Sequence, residues 1–132
     1  MPITALYAGL LALLFFVLAI RVIGVRRGVR IALGDGGDVG LLRRIRVHAN
    51  FAEYVPLTLL LLGLAETLKT DARVLHGLGM LLIVARLVHA AGVSQTKEWF
   101  ALRVSGMAGT FTVLISAAVI CIVGGLRVCF GF

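Results

Sequence analysis

The chain has 132 residues, of which 61% are hydrophobic and only 14% charged, with a mean hydropathy of +1.08. Soluble domains run at roughly half apolar and a quarter charged, so this composition excludes an ordinary soluble fold and points to the bilayer. The net charge of +7 does not indicate a nucleic-acid partner, because seven of the thirteen basic residues (Arg21, Arg26, Arg27, Arg30, Arg43, Arg44, Arg46) lie in one stretch between two hydrophobic segments, as in a cytoplasmic loop under the positive-inside rule.

A membrane span needs about 20 mostly apolar residues, which leaves room for four helices and short loops in a single domain. Runs such as LYAGLLALLFFVLAI lack the period-2 alternation of a closed β-barrel. The expected fold is an all-α integral membrane protein, a four-transmembrane-helix antiparallel bundle. The first helix is expected over about residues 3–23; MPIT lacks the positive n-region of a signal peptide, and the apolar run is too long for one. A basic loop follows, in which GDGGD (Gly34 to Asp38) marks a solvated turn. Its two aspartates are too few and too close for an EF-hand calcium loop.

The second helix begins near Val39 to Leu42 and is expected over about 41–68. TLKTDAR (Thr67 to Arg73) is a polar loop that can join only antiparallel neighbours. The third helix is expected over about 74–93 and the fourth over about 102–126, joined by SQTKEW (Ser94 to Trp99), where Trp99 suits an interfacial anchor. Cys121 and Cys129, with no histidine nearby, fit neither a zinc spacing nor a disulfide framework, so they read as small apolar thiols and no metal is expected. The first and third loops hold nine basic residues, counting Lys97 and Arg103, against three (Lys69, Arg73, Arg127) in the second loop and C-terminus, with Arg86 inside a span. That asymmetry puts both termini outward and the basic loops in the cytoplasm.

The stretch RRIRVHANFAEYVP (Arg43 to Pro56) carries a polar cluster into the second span. At 100° per residue Arg46, Asn50 and Glu53 fall within about 60° of one another, and Arg43 extends the stripe. A carboxylate at the depth of Glu53 costs about 2.5–3.5 kcal/mol on insertion scales and needs a partner, water or a ligand. Pro56 leaves the Ala52 carbonyl without its helical donor and allows space beside the stripe. Arg86 and His89, three apart on the third helix, and Arg103, which opens the fourth, approach the same membrane level. Glu66 and His76 lie toward the outer ends as interfacial residues.

Two readings stay open on these residues alone. One is a self-satisfied network, with Arg46 or Arg86 paired to Glu53 and Asn50 bonded across helices. The other is a site for an anionic small molecule, since the cations outnumber what Glu53 can neutralise.

The pattern R-x-x-R-x-x-x-N-x-x-E-Y-x-P, from Arg43 to Pro56, resembles the signature of the MAPEG family, the membrane-associated proteins of eicosanoid and glutathione metabolism. The resemblance covers nearly the whole chain: four spans, a basic loop after the first, and an arginine opening the fourth. The short chain and GDGG loop are most similar to the small bacterial branch. The resemblance implies a homotrimer in the inner membrane, with glutathione as substrate bound between neighbouring subunits near the cytoplasmic face. Carried over by position, Arg43, Arg46, Asn50 and Glu53 hold the tripeptide, with His48, Tyr54, Arg26 and His89 beside them. Glutathione offers two carboxylates for arginines, an ammonium for Glu53 and peptide groups for Asn50.

Arg103 is then the residue that favours the thiolate, Ser105 a further hydrogen-bond candidate for the sulfur, and Arg27 an aid to a lipid-derived substrate. Val93 departs from the family, standing where several enzyme members carry a tyrosine, and the loop before Arg103 is longer than in some members. The implied activity is glutathione transfer to an apolar electrophile, or reduction of a lipid hydroperoxide, entering from the membrane lipid. The alternatives are a non-catalytic glutathione- or lipid-binding membrane protein and a small transporter that uses Glu53 as its coupling carboxylate. The arginines beside Glu53 argue against the transporter, because they hold its carboxylate ionised.

Overall fold

The computed structural model describes residues 1–94 and 99–131. Four helices follow one another: α1 (Pro2–Val29), α2 (Val39–Thr67), α3 (Ala72–Ser94) and α4 (Phe100–Phe130). Each is long and apolar enough to cross a membrane. Residues 95–98 of the expected third loop, including Lys97, lie outside the described residues.

The helix ends follow from local chemistry. Pro2 sits in the first turn of α1, where its missing N–H would have no partner in any case. At 1.5 Å per residue, the 28 residues of α1 extend about 42 Å, well beyond a hydrocarbon core of about 30 Å. The expectation of a helix ending near residue 23 stopped at the bilayer edge. Arginine is a good helix former, so α1 continues through Arg26 and Arg27 to Val29.

The GDGGD segment is a turn held by its own aspartates. Asp35 accepts a bond from the Gly37 N–H at 2.9 Å, and Asp38 caps α2 by accepting from the Leu41 N–H at 2.6 Å. Arg26 clamps the same loop, donating to the carbonyls of Gly34 at 2.8 Å and Ala32 at 3.3 Å.

At the other end of the bundle, α2 closes in a Schellman motif. The Thr70 N–H reaches the Ala65 carbonyl and the Lys69 N–H the Glu66 carbonyl. Lys69 adopts φ +59°, a left-handed conformation usually given to glycine.

The helices pack as α1 on α2 and α3, and α4 on α2 and α3. The α2–α3 pair is therefore central, with Leu11, Val47, Phe51, Val55, Leu62, Leu82 and Val113 in the shared core. The closest approach joins α3 and α4. A Cβ on Gly106 would lie 2.6–2.7 Å from the N, Cα and Cβ of His89, and one on Gly92 would lie 2.6 Å from the Arg103 N. Those glycines bring the start of α4 against the end of α3, as small residues do between membrane helices.

Glu66 and His76, read from sequence as interfacial residues, tie the other end together. The Glu66 carboxylate accepts from the N–H groups of Ile3 and Thr4 at 3.0 and 2.8 Å and from the Thr4 hydroxyl at 2.6 Å, so α2 caps α1. The Tyr7 hydroxyl lies 3.1 Å from both Nδ1 and the carbonyl oxygen of His76. Leu10, Leu13, Phe16, Val17, Ile115, Val119 and Ile122 are exposed on the outer faces of α1 and α4, where lipid replaces water as solvent.

Candidate functional site

The polar side chains concentrate at the end of the bundle where α2 begins, α3 ends and α4 begins. A cleft of about 270 Å³ opens there, lined by Val39, Leu42, Arg43, Arg46, Asn50, His89, Val93 and Arg103. Three guanidinium groups line it, and among the described residues no carboxylate does. Arg43, Arg46 and Asn50 come from the helical stripe anticipated at spacings of three and four. His89 and Arg103 join them because Gly92 and Gly106 let α3 and α4 meet.

Two contacts fix the walls. Arg43 Nη1 donates to the Val93 carbonyl at 3.5 Å, and His89 Nδ1 lies 3.4 Å from the Arg103 carbonyl, which can only accept. His89 is 4% exposed. The Ser105 hydroxyl donates back to the Leu102 carbonyl at 3.2 Å, and the residue is exposed.

The remaining residues of the expected site lie elsewhere on the single chain. Arg26 and Arg27 line a separate cleft of about 400 Å³ at the end of α1, with Arg30 and Ile31. His48 stacks on Phe15 with ring centroids 4.5 Å apart, on the α1 side of α2. Tyr54 meets Phe111 edge to face at 5.3 Å. Glu53 is exposed and has no hydrogen bond or ion pair among the described residues. One chain thus gathers half of the expected set in one cleft and holds the other half apart from it, with Arg27 and Glu53 exposed.

The pairing of Arg46 or Arg86 with Glu53 is not what the structure contains. Arg86, 1% exposed, turns inward. Its Nη2 donates to Asn50 Oδ1 at 2.7 Å and its Nη1 to Thr110 Oγ1 at 3.3 Å, with Met107 Sδ at 3.8 Å. Its Cζ lies 5.8 Å from the Phe51 ring centroid. The expected bond of Asn50 across helices is therefore present, with Arg86 as its donor. Thr110 had no sequence signal that set it apart from Thr112 and Ser116, the other hydroxyls of the same apolar run.

Beside the stripe, Ala52, Val55 and Pro56 line an apolar groove of about 220 Å³ against Ala8, Leu11 and Phe15 of α1. Helix α2 runs through Pro56 without interruption.

Fold and cleft together define a small integral membrane protein with four spans and a cation-lined cleft at one end of its bundle. The sequence matches the MAPEG family over residues 4–123. This chain belongs to that family, which includes glutathione transferases and other members. It is similar to the inner membrane protein YecN of Escherichia coli K12, and equally to YecN of the O6:H1 strain CFT073. Each is 35% identical over 113 residues, covering 86% of this chain and 85% of that protein. The name YecN carries a membrane location and no activity.

Proposed function

We propose that the protein is a glutathione transferase of the inner membrane that holds the glutathione thiol as thiolate for attack on an apolar electrophile or lipid hydroperoxide. The observation that carries this reading is the convergence of Arg43, Arg46, Asn50, His89 and Arg103 from three helices on one cleft. Such a wall binds carboxylates and peptide carbonyls and favours the anionic form of whatever it holds.

Its volume of about 270 Å³ falls just below that of ligand pockets, which run at about 300–1,000 Å³. A tripeptide then needs a second wall, and a neighbouring copy in a homotrimer supplies one. That copy brings its own α1 arginines, Arg26 and Arg27, to the ligand, while the exposed Glu53 takes the glutathione ammonium. The basic loops face the cytoplasm and both termini face outward.

In the reaction, a free thiol that titrates near pH 8.5 loses its proton to solvent more readily beside the Arg103 guanidinium. With a carbon electrophile the thiolate sulfur forms a bond to that carbon, and the leaving group departs with the displaced electron pair. With a hydroperoxide the sulfur bonds to the terminal oxygen as the O–O bond breaks, and the lipid leaves as an alkoxide that takes a proton from solvent. A second glutathione then converts the sulfenic acid to the disulfide with release of water. Arginine stays protonated throughout and acts by charge alone. Burial of the acceptor beside the sulfur supplies proximity.

The test is an ultraviolet difference titration of the detergent-purified protein with glutathione at neutral pH, beside Arg103→Ala. A saturable thiolate absorbance in the native protein, absent in the variant, is expected. Arg103→Ala should lose turnover more than affinity, and Glu53→Gln chiefly affinity. Loss of affinity alone in both variants, with turnover intact, overturns these roles.

One observation favours a second reading, a non-catalytic glutathione- or lipid-binding protein. Val93, which stands where several enzyme members of the family carry a tyrosine, lines the cleft and offers no side-chain donor. Glutathione binding by calorimetry without a thiolate signal supports that reading.

A further inference from the structure

Among the described residues Arg86 is the largest fully buried side chain, and none of its partners there carries a negative charge. Its Nε is buried without a hydrogen-bond partner among the described residues. A cation kept in that state needs an explanation, because a buried arginine that served packing alone would be replaced by an apolar residue of similar size at little cost. Its shortest bond is the informative one. A guanidinium has five N–H donors and no acceptor, so the atom of Asn50 that lies 2.7 Å from Nη2 must be the carbonyl oxygen.

That contact decides what Asn50 offers its other neighbours. The carboxamide is planar, with oxygen and nitrogen on opposite sides of one carbon. With Oδ1 committed to Arg86 between α2 and α3, the Nδ2 amide is the end left for the cleft that Asn50 lines. Nδ2 is not buried and has no partner among the described residues. Thr110 completes the anchor from the third helix of the cluster. Its hydroxyl hydrogen is directed to the Gly106 carbonyl at 2.9 Å, which leaves a lone pair to accept from Arg86 Nη1 at 3.3 Å.

We infer that Arg86 is a positioning and specificity-determining residue: by holding the oxygen of Asn50 it turns that side chain into a pure donor, so the α2 wall of the cleft, with Arg43 and Arg46, takes only acceptor groups, a carboxylate or a peptide carbonyl. This rests on the glutathione reading for the identity of the ligand, but the Arg86–Asn50 arrangement itself does not. A ligand end that carries an ammonium or a neutral donor finds no acceptor on this wall and is turned toward Glu53, one helical turn further along α2.

The test uses Asn50→Asp and Arg86→Met, with Arg86→Lys and Asn50→Ala as references, and two readouts, thermal unfolding without ligand and glutathione binding by calorimetry, on the protein in detergent. Asn50→Asp puts a carboxylate against Arg86 and an acceptor where Nδ2 was. Its unfolding midpoint should rise above the native value while glutathione affinity falls at least tenfold. Arg86→Met removes a buried unpaired cation and frees the Asn50 amide to turn over. Its midpoint should hold or rise, with affinity again at least several-fold weaker, and Arg86→Lys should recover part of that loss because it can still donate to Oδ1.

A role in packing alone moves midpoint and affinity down together, and that result overturns the inference, as does native affinity in both Asn50→Asp and Arg86→Met. If the native protein binds no glutathione, the functional reading fails, and the ligand-free arm still decides the arrangement. A midpoint for Asn50→Asp at or below that of Asn50→Ala then refutes it.

Discussion

The contact between Gly106 and His89 gives the most direct test of how the cleft is built. In Gly106→Ala the new Cβ would lie 2.6–2.7 Å from three backbone and side-chain atoms of His89, whereas carbon atoms rest at about 3.5–4.0 Å. A helix backbone cannot yield as the end of a long side chain does, so α3 and α4 must separate by close to an ångström. Gly77→Ala is the internal control, since a Cβ there has nothing within 4 Å. Both substitutions share the helix-propensity gain of about 1 kcal/mol of alanine over glycine. Their difference isolates the steric cost, about 1–3 kcal/mol for overpacking.

Denaturant or thermal unfolding of both variants in the same detergent measures that difference. Gly106→Ala should be the less stable by that margin, and its glutathione affinity should fall, because His89 and Arg103 stand on the two helices being separated. Equal stability of the two variants would falsify the claim that this glycine sets the α3–α4 distance.

Three further outcomes are expected. Lys69→Gly should stabilise the protein by about 1 kcal/mol in the same unfolding assay, because it relieves a left-handed non-glycine residue; an unchanged or lower midpoint shows that the lysine side chain compensates. Glu66→Ala removes the acceptor of three bonds from the first turn of α1, so amide exchange at Ile3 and Thr4 should accelerate while the α3 core amides stay protected; unchanged exchange at those two residues contradicts the cap. Cys129 is exposed, whereas Cys121 is half-buried with its thiol donating to the Leu61 carbonyl at 3.2 Å. A membrane-impermeant maleimide added to intact bacterial spheroplasts should therefore label Cys129 alone, and labelling only after permeabilisation places the C-terminus inside.

Much of this arrangement was legible in the sequence because hydropathy and helical spacing are local. Four apolar runs became four helices, and Arg43, Arg46 and Asn50 share a face because 3.6 residues per turn requires it. What the sequence left open depends on the register of one helix against another. Nothing in the spacing of Arg86 distinguishes Glu53 from Asn50 as its partner; the rotation and height of α3 against α2 decide it. The same applies to Glu66, which capped α1 rather than meeting the interface alone, across 62 residues of chain. The glycines at 92 and 106 were a visible signal, since small residues inside spans mark close helix contacts. Glu53 and the α1 arginines, anticipated together, lie apart on one chain, and no spacing within a single helix relates them.

The inward turn of Arg86 also bears on how the chain enters the bilayer. A lone arginine near the middle of a span costs about 2.5–3.5 kcal/mol on insertion scales, and here its receivers are divided in time. Asn50 belongs to α2 and is synthesised first, while Met107 and Thr110 belong to α4 and come last. As α3 emerges, Asn50 is the single one of these partners already in place, so α3 has reason to remain beside α2 until α4 arrives and completes the coordination. Assembly of the bundle is thereby given an order, α2 with α3 before α4, by one charged side chain whose partners among the described residues are all neutral.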